Sequence, residues 1–471
     1  MKQVDVRKAY VDSVTLMQVS RRVADLDGVA AALVAMATDL NLELAAGMGF
    51  DVPATVSGND MLVALDVASD DVLAAARTEV DAALAAASRP AAGGFGDAPP
   101  PPTMRAATRD ADPETAVALV STPGQYAFAD ALDAVDAGLL TMVFSDNVSV
   151  AQEVALKRRA GETGALVMGP DCGTAVVGGV GLGFANVVRP GPVGIVAASG
   201  TGAQHLLALL DGAGVGVSHC LGVGGRDLSA DVGGLSTLRA LDLLDADEAT
   251  ELVVVISKPP APEVAEKVRA HAASLGTPVV FGLLGPGQPD LTATAAAVVE
   301  AAGGTWTAPE SWGGAVSSRR GQGVLKGLFV GGTMRDEARL VAASALGLEP
   351  ASLEMVDFGD DEYTRGRPHP MIDGSLRLDR IAHETDDPTC GVLLLDVVLG
   401  LGSDPDPAAA LVEPVRRATA AGLPVVVSVI GTRDDPQDLR RTAGALTDAG
   451  AAVFLSNAAA ARAAADLAGA S

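Results

Sequence analysis

Gly194-Ile195-Val196-Ala197-Ala198-Ser199-Gly200-Thr201 is the stretch that decides the fold. An apolar run ends in a serine, a glycine and a threonine, and a helical pattern from Gly202 to Leu210 begins at once. Short apolar runs without alternation are characteristic of parallel strands buried on both faces. A strand that enters a helix through such a turn is half of a βαβ unit. The arrangement recurs where the run ending at Val330 gives way to Gly331, Gly332 and Thr333 and a helix reaching Ala345.

Outward from these two turns, the same rhythm fills the chain from residue 113 onward. Strands are expected at Ala116–Val120, Leu139–Phe144, Ala165–Met168, Val193–Ala197, Leu252–Ile256, Pro278–Gly282, Val324–Val330, Gly391–Leu395, Pro424–Val429 and Ala452–Leu455. Most are followed by a glycine-containing turn and a helix, so the fold class is α/β with doubly wound, Rossmann-like and flavodoxin-like parallel sheets. Ligands of such sheets lie at the carboxyl ends of the strands.

Residues 88–112 begin with SRPAAGGFGDAPPPPT, a Pro/Gly-rich stretch read as a linker in extended form. It sets off an N-terminal module, residues 1–87. There the apolar run Val11 to Val19, a helical pattern from about Asp25 to Ala37, strand-like runs near 41–46 and 61–68, and a helix from Asp70 to Ala87 suggest β-α-β-β-α. That order points to an α+β ACT-like or ferredoxin-like sandwich.

With 33 Lys+Arg against 59 Asp+Glu the net charge is −26, which repels phosphate backbones and anionic headgroups. Neither nucleic acid nor a membrane is an expected partner. Hydrophobic residues make up 49 % of the 471 and aromatics only 3 %, so the cores must be built from Ala, Val and Leu. Cys172, Cys220 and Cys390 have no C-x-x-C spacing, and no metal site is expected. The start, MKQVDVRKAY, lacks the apolar region of a signal peptide, and a cytoplasmic location is expected. H-E-x-x-H, Walker A, G-x-S-x-G and the dinucleotide fingerprint are absent, which argues against zinc peptidases, P-loop ATPases, serine hydrolases and ordinary dehydrogenases.

The candidate chemistry begins with the two turns. Ser199, Gly200 and Thr201, and Gly331, Gly332 and Thr333, can cradle a phosphate at a helix N-terminus, although Thr201 and Thr333 can equally be plain N-caps. Gly224 and Gly225 form a third cluster, either a backbone cradle or a tight connection. Lys258 ends a strand where an anionic substrate would lie, or is simply solvated. The densest polar stretch runs from Asp357 to Asp373, where Pro368 and Pro370 restrict the backbone around His369. His369 with Arg367 and Asp361 is the candidate transfer or substrate-orienting set. His205, His219, His271 and His383 read as structural histidines.

The sequences Met168-Gly169-Pro170-Asp171-Cys172-Gly173, Gly194 to Thr201, and Cys220 to Gly225 resemble the succinyl-CoA synthetase α-subunit. LVEPVRRATAAGLPVVVSVIGT, within Gly391–Leu455, resembles the ligase domain of the β-subunit. With LKGLFVGGTM and DFGDDEYTRGRPHPMID, the chain is most similar to the FdrA proteins, fused relatives of the NDP-forming acyl-CoA synthetases. The resemblance implies a truncated CoA-binding Rossmann-like domain over 113–190, an α-type ligase domain over 191–318 and a second, β-type ligase domain over 319–471. It also implies carbamoyl or acyl-phosphate transfer in purine-ureide (allantoin) nitrogen catabolism. In that role oxalurate and phosphate exchange for oxamate and carbamoyl phosphate, and the chain works in an oligomer with other transferase subunits.

The chain departs from the synthetases in informative places. The loop where they carry a catalytic histidine reads LLGPGQPDL, without one, and Lys258 falls where they carry an acid. The first strand and turn of the CoA-binding domain are missing, which weakens CoA as a ligand, and no ATP-grasp domain is present. Two rival readings stay open: a CoA ligase subunit with a partner-supplied ATP-grasp domain, and a non-catalytic ligand-sensing scaffold.

Overall fold

The computed structural model describes residues 1–53, 55–87, 101–313 and 323–469. It divides into two units, Met1–Pro100 with Gly359–Asp373, and Pro101–Phe358 with Gly374–Ser471.

The first unit is built on an antiparallel sheet of order β1-β3-β2, from β1 (Lys2–Arg7), β2 (Val29–Met36) and β3 (Met61–Val67). Its helices are α1 (Ser13–Ala24), α2 (Asp39–Gly47) and α3 (Asp70–Ala87). Side chains alternate across a strand, and β3 shows the consequence. Met61, Val63, Leu65 and Val67 join a core with Leu16 and Val19 of α1 and Leu73 and Val80 of α3. Leu62 and Ala64 point the other way, to Ala45 of α2 and Phe50.

The observed order β-α-β-α-β-α corrects the expected β-α-β-β-α. Val11 to Val19 lies mostly in α1, the segment read as a helix from Asp25 to Ala37 holds β2, and 41–46 lies in α2. VAAALVAM has good helix propensity because of its alanines, but pairing along β3 from Val29↔Val67 to Met36↔Met61 outweighs it. Asp12, whose carboxylate accepts from Thr15 N at 2.8 Å, starts α1 where a strand was expected. Gly359–Asp373, assigned from sequence to the 319–471 domain, belongs to this unit instead.

The second unit holds three sheets. Parallel strands β4 (Val117–Val120), β5 (Leu140–Val143) and β6 (Val167–Met168) form one, accompanied by α4 (Met104–Ala107), α5 (Gly124–Asp136) and α6 (Val150–Thr163). The expected linker 88–112 lies outside the described residues up to residue 100. Its remainder is not the extended spacer expected, because Thr103 caps α4, and Met104 packs beside Ala131 and Ala134 of α5.

The second sheet comprises β7 (Thr174–Val177), β8 (Val180–Gly183), β9 (Pro190–Ala198), β10 (Val217–Gly222), β11 (Leu252–Ser257) and β12 (Val279–Leu283), in the order β12-β11-β9-β10-β7-β8. Its helices are α7 (Gly200–Gly212), α8 (Leu235–Asp245), α9 (Pro262–Ala272) and α10 (Leu291–Ala301). β7 and β8 fall within the expected 113–190 domain, yet β7 pairs antiparallel with β10 at Cys220↔Val176 and so extends this sheet.

The third sheet has the order β13-β18-β17-β16-β14-β15, from β13 (Ser311–Trp312), β14 (Val324–Phe329), β15 (Glu354–Asp357), β16 (Cys390–Val398), β17 (Val425–Ile430) and β18 (Ala452–Phe454). Helix α11 (Gly332–Leu346) follows β14, and α12 (Asp361–Thr364) lies in the first unit. Then come α13 (Ser375–Asp386), α14 (Pro407–Ala420), α15 (Leu439–Asp448) and α16 (Asn457–Gly469).

The parallel strands β10-β9-β11-β12 and β15-β14-β16-β17-β18 both follow flavodoxin-like winding, in which the first strand has its successors on either side. The switch points therefore lie at the carboxyl ends of β9 and β14, where Ser199 and Gly331 stand. Among the described residues no helix is long and apolar enough to cross a membrane.

Candidate functional site

The two switch-point turns meet. Ser199 Oγ and Thr333 Oγ1 are 2.6 Å apart, both buried. A Cβ on Gly202 would stand 3.0 Å from Thr333 Cγ2 and collide with Ser199 Oγ, and one on Gly331 would stand 2.6 Å from Thr201 Cβ. Only glycine lets the first turns of α7 and α11 approach so closely. Polar ties fix the two sheets around this contact: Asn186 Nδ2 donates to Asp435 (2.7 Å) and to Leu399 O (3.1 Å), and Gln204 Nε2 also donates to Leu399 O.

Capping differs from expectation. Ser199 caps α7, its hydroxyl accepting from Gly202 N at 2.9 Å, and Gly331 occupies the N-cap of α11 without a side-chain bond. Thr201 and Thr333 are therefore not N-caps, and Thr333 is free to bridge to Ser199. Gly200 is also less crowded than its neighbours, since its Cβ would meet only Thr174 Oγ1, at 3.9 Å. The steric demand rests on Gly202 and Gly331, a distinction the sequence does not show.

Lys258, half-buried after β11, points its ammonium at the second turn. A Cβ on Gly332 would lie 2.7 Å from Lys258 Nζ and 2.5 Å from Asp357 Oδ2. Next to that turn, Asp396 of β16 accepts from Val330 N at 2.8 Å and from Arg377 Nη1 at 3.0 Å. Burial pushes the Asp396 carboxyl up to about 7, with Arg377 opposing the shift. Asp357 opens the polar stretch found in the sequence, whereas Asp396 and Arg377 carry no sequence signal beyond their place in a strand and in a helix.

Beside the first turn lies a small open cleft lined by Asp171, Cys172, Gly173, Thr174, Ala197, Ser199, Gly200, Gly222, Gly224 and Gly225. The three motifs behind the synthetase resemblance thus converge on one place. Gly224 has φ +89°, and its Cβ would be 2.7 Å from Pro170 O, whereas Gly225 has open space. Beneath them Lys157 Nζ, fully buried, donates to Val223 O (2.9 Å), Glu153 (2.7 Å) and Asp227 (2.8 Å). Asp227 in turn accepts from Ser236 N and Thr237 N, which ties the glycine loop to the start of α8.

Nucleophiles are scarce. Burial pushes the Cys172 thiol up to about 12 and that of Cys220 higher still, so neither is a thiolate at neutral pH. His205 is buried, its Nε2 accepts from Asn457 N at 3.4 Å, and burial lowers it to about 4. It matches the structural role expected, although its Nδ1 lacks a partner among the described residues.

His369, Arg367 and Asp361 belong to the first unit, whereas the turns, Lys258 and Asp396 belong to the second. The Arg367 guanidinium reaches Asn41 Oδ1 at 3.3 Å and Asp373 Oδ2 at 3.6 Å. His369 Nδ1 accepts from Met371 N at 3.2 Å, so the neutral ring carries its proton on Nε2, and burial lowers it to about 4. Asp361 is exposed in α12.

Residues 328–467 match the family described as CoA-ligase, and residues 1–100 match one described as AllF, heavy metal-associated domain. The chain is 35 % identical to the uncharacterized protein YahF of Escherichia coli K12, over 94 % of this chain and 93 % of that protein. The chain belongs to the YahF family. It is also 29 % identical to a succinate–CoA ligase [ADP-forming] subunit alpha 2 of Archaeoglobus fulgidus, over 33 % of this chain and 54 % of that subunit. To malate–CoA ligase subunit alpha of Methylorubrum extorquens it is 29 % identical, over 39 % of this chain and 64 % of that subunit. It thus spans about half to two-thirds of these ligase subunits. A dinucleotide-forming acetyl-coenzyme A synthetase 1 of Ca. Korarchaeum cryptofilum aligns over 80 % of this chain and 87 % of its own, at 16 % identity and a TM-score of 0.30, a value too low to argue from. The chain is thereby placed in the succinyl-CoA synthetase-like acyl-CoA ligase superfamily.

The heavy-metal description of the N-terminal module does not fit its donors. Residues 1–100 contain neither cysteine nor histidine, and among the described residues no group of three metal-ligating side chains occurs. Soft and borderline metals select thiolate and imidazole, and the module offers neither.

Proposed function

We propose that the chain is the acyl-phosphate-handling subunit of an FdrA-type transferase, in which phosphate or a carbamoyl phosphate lies against the Ser199–Thr201 and Gly331–Thr333 turns. The observation that carries this reading is the meeting of two helix N-termini, sealed by the Ser199–Thr333 contact, with Lys258 beside Gly332. Two positive helix ends and an ammonium suit an anion with two or more charges. In the forward direction a phosphate oxygen attacks the carbamoyl carbon of oxalurate and the C–N bond to oxamate breaks. The leaving nitrogen takes up a proton. The turns and Lys258 stabilise the charge on phosphate, and Gly224 and Gly225 shape the cleft floor.

No phosphohistidine is needed in this scheme, in keeping with LLGPGQPDL and with the buried, neutral His205. For the first unit, His369 is proposed as a neutral ring with its proton on Nε2. Arg367 acts as a strut rather than a free charge, because Asn41 and Asp373 already engage it. Asp361 is the most exposed of the set. Other subunits, an oligomer and a cytoplasmic setting belong to the same proposal.

A second reading, a CoA ligase subunit using a partner's ATP-grasp domain, is favoured by the CoA-ligase match over 328–467. The two separate in one experiment with co-purified partner subunits: carbamoyl phosphate formation from oxalurate and phosphate, against ADP release with an acid and CoA. Turnover only in the second assay would reject the transferase.

A further inference from the structure

The N-terminal module has neither cysteine nor histidine, yet it has a polar corner between β2 and α2 whose bonding is directed at another part of the chain. Thr38 is the N-cap of α2, but its side chain makes no capping bond. Its hydroxyl donates instead to Arg365 O at 3.1 Å. Asn41, 0 % exposed, spends one N–H on Met36 O (2.9 Å) and the other on Gly366 O (3.0 Å), and its Oδ1 accepts from Arg367 Nη1. A buried amide left without those partners would be costly, so the corner is complete only when residues 365–367 occupy it.

The loop side is shaped to match. Gly366 has φ +74°, and a Cβ there would stand 2.6 Å from Thr38 Cγ2. A second tie lies further along, where Arg21 of α1 approaches Asp373 at 3.6 Å and Asp373 approaches Arg367 at the same distance. Between these ties sits His369, whose carbonyl accepts from both Ile372 N and Asp373 N.

We infer that the N-terminal module is a dock for the chain's own residues 365–373 rather than a heavy-metal site, and that Thr38 and Asn41 are positioning residues for Arg367 and His369. The module thereby turns a charged loop, inserted more than 300 positions downstream, into a fixed surface. Such a loop held only at its ends would sample many conformations, and a group needed for chemistry would lose its orientation.

Hydrogen exchange on the full-length chain tests this. Asn41→Leu removes all three polar bonds while keeping bulk, and Gly366→Val blocks docking from the loop side. Amides of 359–373 should exchange at least about tenfold faster in both, with the amides of β3 unchanged. As a readout that a merely structural role would not move, the His369 imidazole, followed by NMR, should shift its titration upward from about 4 toward the free value of roughly 6.5 in Gly366→Val. If Asn41→Leu also exposes β3, Gly366→Val alone decides. Unchanged loop exchange in the folded variants would overturn the inference. So would slowed exchange within residues 1–87 on adding one equivalent of Zn(II) or Cu(I) to the wild-type chain, which the absence of thiolate and imidazole argues against.

Discussion

Gly200 and Gly331 stand at equivalent turns, yet only one of them should cost stability when substituted. A Cβ at Gly331 would lie 2.6 Å from Thr201 Cβ, whereas ordinary contact begins near 3.4 Å, so the turns must part by roughly 0.8 Å. Overpacking of this kind costs about 1–3 kcal/mol. A displacement near 1 Å in a site that positions reactants costs on the order of 100-fold in rate. Gly331→Ala should therefore lower the melting temperature and weaken anion binding together. At Gly200 the only neighbour among the described residues within reach of a Cβ is Thr174 Oγ1, at 3.9 Å, and both residues line the cleft. Gly200→Val should fold normally but fill the space a ligand needs, so phosphate binding measured by calorimetry should fall at least about tenfold without a loss of melting temperature. Wild-type phosphate affinity in folded Gly200→Val would refute the cleft as the anion site. Wild-type melting in Gly331→Ala would refute the steric argument for the paired turns.

Three other perturbations probe the supports of the site. Lys258→Glu should weaken phosphate binding strongly while leaving the melt nearly intact, because the side chain is half-buried and makes no ion pair within the described residues. Lys157→Met leaves Asp227 buried without its cation and Glu153 with Arg226 alone, and thermal melts should show a loss of about 3–5 kcal/mol. Glu337, buried on α11, accepts from Asn457 Nδ2 and Leu291 N, and burial pushes it up to about 7. Its folded value lies above the unfolded one, so its contribution is complete below about pH 4.5 and is lost as pH rises through about 7. Melting temperature should accordingly decline over that range, and Glu337→Gln should flatten the decline.

The sheets were legible in the sequence because parallel strands covered on both faces write themselves as unbroken apolar runs. Leu252–Ile256 and Gly391–Leu395 are examples, and all ten runs expected beyond residue 113 fall on observed strands. β2 was not legible: alanine serves a helix and a thin edge strand alike, and only pairing with β3 decides between them. The two turns could be found, since Ser-Gly-Thr and Gly-Gly-Thr at strand ends are local signals. Their contact could not, because it depends on how two sheets pack. Asp396 and Arg377 escaped notice for the same reason, being single polar residues in apolar or helical context that gain meaning only beside Val330. The Asp357–Asp373 stretch stood out by composition, but its partner, the corner at Thr38 and Asn41, lies far away in sequence.

Two helix N-termini in contact are electrostatically unfavourable, and this bears on what the site holds. Each end carries roughly half a positive charge, and at about 5 Å with an effective dielectric constant near 20 they repel by about 0.8 kcal/mol. The fold retains the arrangement, and even adds Lys258. Negative charge nearby balances it in part through Asp357 and through Asp396, the latter pushed up to about 7 and so partly protonated at neutral pH. An anion bound against the turns competes with Asp396 for the same positive field, hence it should favour the protonated acid. By linkage, protonating Asp396 should tighten the anion. Sulfate keeps its charge between pH 6 and 8 and so isolates the protein's contribution. It should bind more tightly at pH 6 than at pH 8, and Asp396→Asn, neutral throughout, should lose most of that dependence while keeping the pH 6 affinity. An equal slope in wild type and Asp396→Asn would show that the acid does not sense the anion, and would place the ligand away from the Val330–Gly332 turn.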